Sequence, residues 1–233
     1  MNLPNALTGA RIAVTPLIAI LPFSQSSSAR LTAFALFVAA AVSDYADGVL
    51  ARSRKQETNL GKLLDPLADK LLLVGTFIPM YVLMRQGVGA IPLVPDFAGR
   101  VDPLPIALPF RTPWGDVGLP WWIGAIVLGR ELLMTIFRQI AHRRGVVIAA
   151  IGPAKWKTAI QLIWQGVAYF WFFAATLASE RAWQSDPAWN GAALFIGTVG
   201  SLAMTVAVLL TLYSLWLYLS RYGGVFVHSG ARG

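Results

Sequence analysis

Four aspartates define the chemistry open to this chain. Asp44 and Asp47 are three residues apart, and Asp65 and Asp69 are four apart. On a helix either spacing puts both side chains on one face. One acidic pair therefore ends a helix, a second opens the next, and the turn between them can fold the pairs together. Apolar segments at 31–42 and 71–83 flank this stretch. Carboxylates converging at a membrane edge repel one another and are costly to desolvate, so positive charge must hold them. Oxygen donors select hard cations such as Mg2+, Mn2+ or Ca2+. The chain has no cysteine and only His142 and His228, which argues against a zinc or thiolate site. The residues between the pairs suit phosphate. Gly48 and Gly61 permit close backbone approach, Ala51 removes bulk, and Arg52, Arg54, Lys55 and Lys62 form a cationic rim. Together these groups permit displacement at phosphorus, with cations neutralising a pyrophosphate and a carboxylate accepting the proton of an attacking hydroxyl.

Such a site needs helices to carry it, and the composition supplies membrane helices. The chain is 56% hydrophobic and 13% charged, with a mean hydropathy of +0.60. Several apolar runs reach or approach the roughly 20 residues that cross a bilayer. The expected fold is all-α: a polytopic integral membrane protein with six transmembrane helices and an N-terminal interfacial helix. Residues 1–10 form the interfacial lead, and a first span follows over 12–23, where Pro16 could kink it. The second span starts near residue 31 and delivers Asp44 and Asp47. The third covers 63–84, with Asp65 and Asp69 in its first turns and Pro66 at an early helical position. Residues 85–119, rich in Pro and Gly, read as an external loop. Spans four to six cover about 121–140, 158–177 and 190–219. One membrane domain of residues 1–220 precedes a short tail, 221–233.

The formal charge of +8 would suggest nucleic acid in a soluble protein, but a membrane chain uses it otherwise, and no nucleic-acid partner is expected. Arg52, Arg54, Lys55, Lys62, Arg143, Arg144, Lys155 and Lys157 fall on the side of the Asp motif. Arg30, Arg85, Arg100, Arg111 and Arg181 are spread over the other. Positive loops face the cytoplasm. The expected location is the inner membrane, with the motif and both termini cytoplasmic and anionic lipids as neighbours. No basic stretch followed by a cleavable apolar core opens the chain, so no signal peptide is expected.

Asp44-x2-Asp47-Gly48-x2-Ala51-Arg52-x8-Gly61-x3-Asp65-x3-Asp69 resembles the complete signature of the CDP-alcohol phosphatidyltransferase family, at all eight fixed positions. The resemblance implies two divalent cations, Mg2+ or Mn2+. Asp44, Asp47 and Asp65 would be the main ligands, with Asp69 near the second cation and acting as general base. It also implies that Gly48, Ala51, Arg52 and Thr58 contact the CDP moiety of CDP-diacylglycerol, that Gly61 allows close approach, and that CMP is released. Members of the family are commonly homodimers. Gly197-x3-Ser201 is a small-x3-small pattern suited to close helix packing.

Three further patches bear on the acceptor alcohol. Pro4-Asn5, Thr8 and Arg11 resemble the opening of the phosphatidylglycerophosphate synthases of this family; Arg11 would contact phosphate or anchor topology. Arg130-Glu131-x3-Thr135-x2-Arg138 and Lys155-Trp156-Lys157-Thr158 with Gln161 resemble two other segments of those enzymes. Gln139 and Ala154 depart from that pattern, where Glu and Gly are usual. The resemblance implies glycerol 3-phosphate as acceptor, its phosphate held by Arg130, Arg138, Lys155 and Lys157, and phosphatidylglycerophosphate as product. Rival readings keep the chemistry with inositol phosphate, phosphatidylglycerol or serine as acceptor, make the chain a divalent-cation transporter, or make it an inactive scaffold. A transporter predicts polar residues at mid-depth in several spans, whereas here the carboxylates cluster at one face.

Overall fold

The computed structural model describes residues 3–54, 59–85, 107–143 and 152–222, with side chains throughout except at 3–5, 45–54, 59–63, 65, 142 and 153–155. Among the described residues six long helices form: α1 (Leu3–Ile20), α2 (Ser27–Arg54), α3 (Asn59–Leu83), α4 (Trp121–Arg143), α5 (Gly152–Glu180) and α6 (Pro187–Tyr222). Short 3₁₀ turns cover Leu21–Phe23 and Trp183–Ser185. Among the described residues, four stretches are long and apolar enough to cross a membrane: Ala6–Phe23, Pro66–Leu83, Trp156–Glu180 and Pro187–Tyr222. In α4, Arg130, Glu131 and Arg138 interrupt the apolar run. On α6, Phe195, Leu202, Leu209 and Trp216 are exposed at seven-residue intervals. A stripe of that kind belongs against lipid rather than water. The chain is a helical membrane protein.

The lead and first span expected as separate elements are one helix. Pro16 lies inside α1, and α1 ends where Pro22 has no N–H to offer the Ile18 carbonyl four residues back. The Tyr169 hydroxyl donates to that carbonyl instead, at 3.1 Å. Pro66 likewise sits inside α3, which begins at Asn59, not in its opening turn.

The chain forms two compact units. The first comprises Met1–Leu119 with Gln165–Gly200, and the second Pro120–Trp164 with Ser201–Gly233. In the first, α1 packs against both α2 and α3. Gly75 brings α3 close: a Cβ there would stand 2.9 Å from the Thr15 methyl. Phe37 stacks on Tyr169 with centroids 5.4 Å apart. Arg30, read from sequence as a loop cation, is buried. Its Nε donates to the Pro22 carbonyl at 2.9 Å and another nitrogen to the Thr176 hydroxyl. The first backbone N–H of α2, at Ser27, donates to Glu180 at 2.8 Å. A carboxylate thereby caps a helix start where the dipole favours negative charge.

Within the broken stretch 85–119, residues 86–106 lie outside the described residues. The remainder makes a hairpin of β1 (Phe110–Thr112) and β2 (Gly115–Val117), pairing Arg111 with Asp116. Gly115, at φ 118°, closes the turn in a conformation that side chains disfavour. The segment has a structural task. The Leu119 N–H donates to the Met84 carbonyl at 3.1 Å, satisfying a backbone acceptor just beyond α3. Gly197 and Gly200 accommodate this hairpin: a Cβ at Gly197 would overlap the Arg111 backbone, and one at Gly200 the Phe110 ring. Gly197 thus admits a hairpin backbone, not the neighbouring helix that the small-x3-small pattern suggested.

In the second unit, Met134, Phe137 and Tyr218 form a buried cluster, with Leu215 and Tyr222 packed against it.

Candidate active site

Helix extends into the Asp motif from both sides. Asp44, Asp47, Gly48, Ala51 and Arg52 lie on α2, while Gly61, Asp65 and Asp69 lie on the first turns of α3. The helical backbone puts Asp47 one turn beyond Asp44, and Asp65 one turn before Asp69. The side chains of Asp47, Arg52 and Asp65, like Thr58 as a whole, lie outside the described residues.

Asp44 and Asp69 converge on one atom. Nη1 of Arg11, on α1, donates to Asp44 Oδ1 at 2.6 Å and to Asp69 Oδ1 at 3.2 Å. The Arg11 side chain is 1% exposed, those of Asp44 and Asp69 45% and 59%. A buried guanidinium therefore lies beneath two accessible carboxylates drawn from different helices. The sequence left Arg11 between phosphate contact and topology anchor, and the structure gives it carboxylate partners. Its spacing held a signal: Thr8, Arg11 and Thr15, three and four residues apart, are all buried, a polar face within an apolar helix. Among the described residues no group of three or more metal-ligating side chains assembles. Asp44 and Asp69 nonetheless surround one cationic nitrogen, and a carboxylate set of that kind fits a hard cation.

The second unit contains a different polar centre. Arg130 is 6% exposed and Lys157 3%. Both contact one oxygen of Glu131: Arg130 Nη1 at 3.0 Å, and Lys157 Nζ. Arg130 Nη2 donates to the Ser214 hydroxyl at 3.1 Å, and its guanidinium lies 5.9 Å from the Tyr218 ring centroid. Two buried cations thus share one carboxylate. Arg130 Nε and Gln161 Oε1 are buried without hydrogen-bond partners among the described residues, a costly state unless another group or water satisfies them. Of the four cations expected to serve the acceptor, Arg130 and Lys157 come together. Arg138 is exposed on α4 and takes no part in the network, and the Lys155 side chain lies outside the described residues. Ser214 and Tyr218 were not legible as site residues, because an uncharged hydroxyl and a phenol in an apolar helix give no sequence signal.

The fold and this acidic centre define a class, the helical membrane proteins that gather aspartates from two neighbouring helices. A family description narrows it. The CDP-alcohol phosphatidyltransferase pattern matches residues 1–217, and the chain belongs to that family of transferases. It is 32% identical over 165 residues to a probable phosphatidylglycerophosphate synthase of Mycobacterium tuberculosis, covering 70% of this chain and 63% of the relative. The chain thus spans under two thirds of the mycobacterial protein's length. It is 34% identical over 161 residues to a CDP-diacylglycerol–glycerol-3-phosphate 3-phosphatidyltransferase of Rickettsia bellii, covering 69% and 71%. A cardiolipin synthase (CMP-forming) of Oryza sativa subsp. japonica is 30% identical over 166 residues, covering 70% and 44%.

Proposed function

We propose that this chain transfers a phosphatidyl group from CDP-diacylglycerol to sn-glycerol 3-phosphate, releasing CMP and forming phosphatidylglycerophosphate. The observation that carries the reading is the convergence of Asp44 and Asp69 on Arg11 within a chain of this family. Two divalent cations, Mg2+ or Mn2+, would be held by Asp44, Asp47, Asp65 and Asp69. When bound they neutralise the pyrophosphate and the leaving phosphate.

The remaining chemistry belongs to the chain. Gly48, Ala51, Arg52, Thr58 and Gly61 receive the CDP moiety. Asp69, the more exposed of the two described carboxylates, accepts the proton of the acceptor hydroxyl. That oxygen bonds to the phosphorus next to the diacylglycerol, and the bond from this phosphorus to the CMP oxygen breaks with its electron pair leaving on CMP. Arg130 and Lys157 hold the acceptor phosphate, with Arg138 and Lys155 as additional cations. The cationic excess around Glu131 favours a phosphomonoester dianion over an uncharged alcohol. The motif faces the cytoplasm at the inner membrane, following the asymmetry of Lys and Arg.

The resemblance to the rice cardiolipin synthase supports a second reading, in which phosphatidylglycerol is the acceptor. An assay on purified protein separates the two. CDP-diacylglycerol and Mg2+ or Mn2+ are supplied with one acceptor at a time, and CMP release is followed beside an Asp69→Asn control. Release with glycerol 3-phosphate alone, lost in the control, is the expected result. Release with phosphatidylglycerol alone replaces the acceptor. No release with any acceptor, despite bound metal, returns the transporter and scaffold readings.

A further inference from the structure

Arg11 lies on α1, outside the Asp motif, yet its Nη1 contacts two of the motif's carboxylates. Its side chain is 1% exposed, so it cannot follow the carboxylates outward into solvent. If a metal displaced it, a buried guanidinium would lose its counter-charges, and removing one partner of a buried pair is strongly unfavourable. The surroundings keep it in place. Its helix packs on both α2 and α3, and Gly75 allows α3 to close on Thr15 one turn further along α1. The Thr15 hydroxyl bonds the Arg11 carbonyl at 2.8 Å. The arrangement is a fixed cation under carboxylates that remain accessible from the other side.

We infer that Arg11 is the positioning residue of the metal centre. It holds Asp44 of α2 and Asp69 of α3 at a fixed separation before any metal arrives, and it remains bound to them afterwards. It acts through the carboxylates rather than on substrate. Two like-charged side chains would otherwise turn away from one another, and metal binding would have to bring them together. With Arg11 present, that repulsion is offset within the fold and the ligands are preorganised. The inference rests on the Asp motif binding divalent metal.

The test measures metal binding directly. Purified metal-free protein in detergent is titrated with Mn2+, followed by the loss of the free-Mn2+ electron paramagnetic resonance signal, for wild type, Arg11→Met and Arg11→Lys. Metal-free melting temperatures are recorded in parallel. Loss of an outer-shell partner typically weakens metal affinity about 10- to 100-fold, and that loss is expected for Arg11→Met. Arg11→Lys retains the charge, and one nitrogen suffices for both carboxylates, so it should recover part of the affinity. Both variants should melt below wild type when metal-free. Mn2+ binding by either variant at wild-type strength or tighter overturns the inference, since Arg11 is then a bystander or a competitor. If Arg11→Met cannot be purified folded, Arg11→Lys decides by the same criterion. A wild-type protein that binds no Mn2+ overturns the metal reading itself, which separates the two failures.

Discussion

The two polar centres are built with opposite charge ratios. Among the described residues of the first unit two carboxylates, Asp44 and Asp69, share one guanidinium, and the cation is the buried member. In the second unit two cations, Arg130 and Lys157, share one carboxylate, and the cations are again buried while Glu131 is 29% exposed. Among the described residues the first centre holds more carboxylates than cations and the second more cations than carboxylates. At the second centre the excess cations are buried and poorly screened, whereas at the first the excess lies on half-exposed carboxylates that water screens more. The first is accordingly suited to hard metal cations and the second to a phosphate. In both, the ion pairs among the described residues join unequal numbers of opposite charges. This differs from a structural salt bridge, where the charges balance.

Substitutions that remove the unbalanced charge should break the contrast most sharply. Asp69→Asn and Asp44→Asn strip the acidic centre of an anion. Loss of a general base typically costs about 10²- to 10⁴-fold, so Asp69→Asn should lower CMP release by that order at saturating substrate. Asp44→Asn should show its main effect as a higher Mg2+ requirement in the same assay. Lys157→Met acts on the other centre. A hydrogen bond to a charged group is worth about 1.5–3 kcal/mol, so the KM for glycerol 3-phosphate should rise on the order of 10- to 100-fold. The KM for CDP-diacylglycerol should stay near wild type, and an equal rise in both would remove the distinction between the centres. Arg138→Ala should do least. As an exposed additional cation outside the buried network, Arg138 contributes at most about 1 kcal/mol, so the KM for glycerol 3-phosphate should rise no more than about fivefold and that for CDP-diacylglycerol should stay near wild type.

How much of this was legible beforehand follows the range of the forces involved. Helix and membrane character come from apolar runs, which are local, so the long helices could be read directly. The Asp motif was legible because helical periodicity converts spacing into a shared face. Arg130 and Glu131 are neighbours in sequence within a span where an unpaired charge is expensive, so their contact is local as well. The task of the 107–119 segment was not. Its hairpin meets Gly197 across a long stretch of chain, and the spacing from Gly197 to Ser201 reads equally well as a helix contact.

The sequence by itself determined a helical membrane chain with an acidic motif at helical spacing and a cationic excess. Both follow from periodicity and composition, which involve only near neighbours. Tertiary structure decided which charges meet. It took Arg11, 33 residues from Asp44 and 58 from Asp69, and buried it beneath both. It joined Lys157 to Glu131 across 26 residues and set Ser214 and Tyr218 against Arg130. Such contacts depend on how helices pack, and packing is specified by shape across the whole unit. No local pattern carries it.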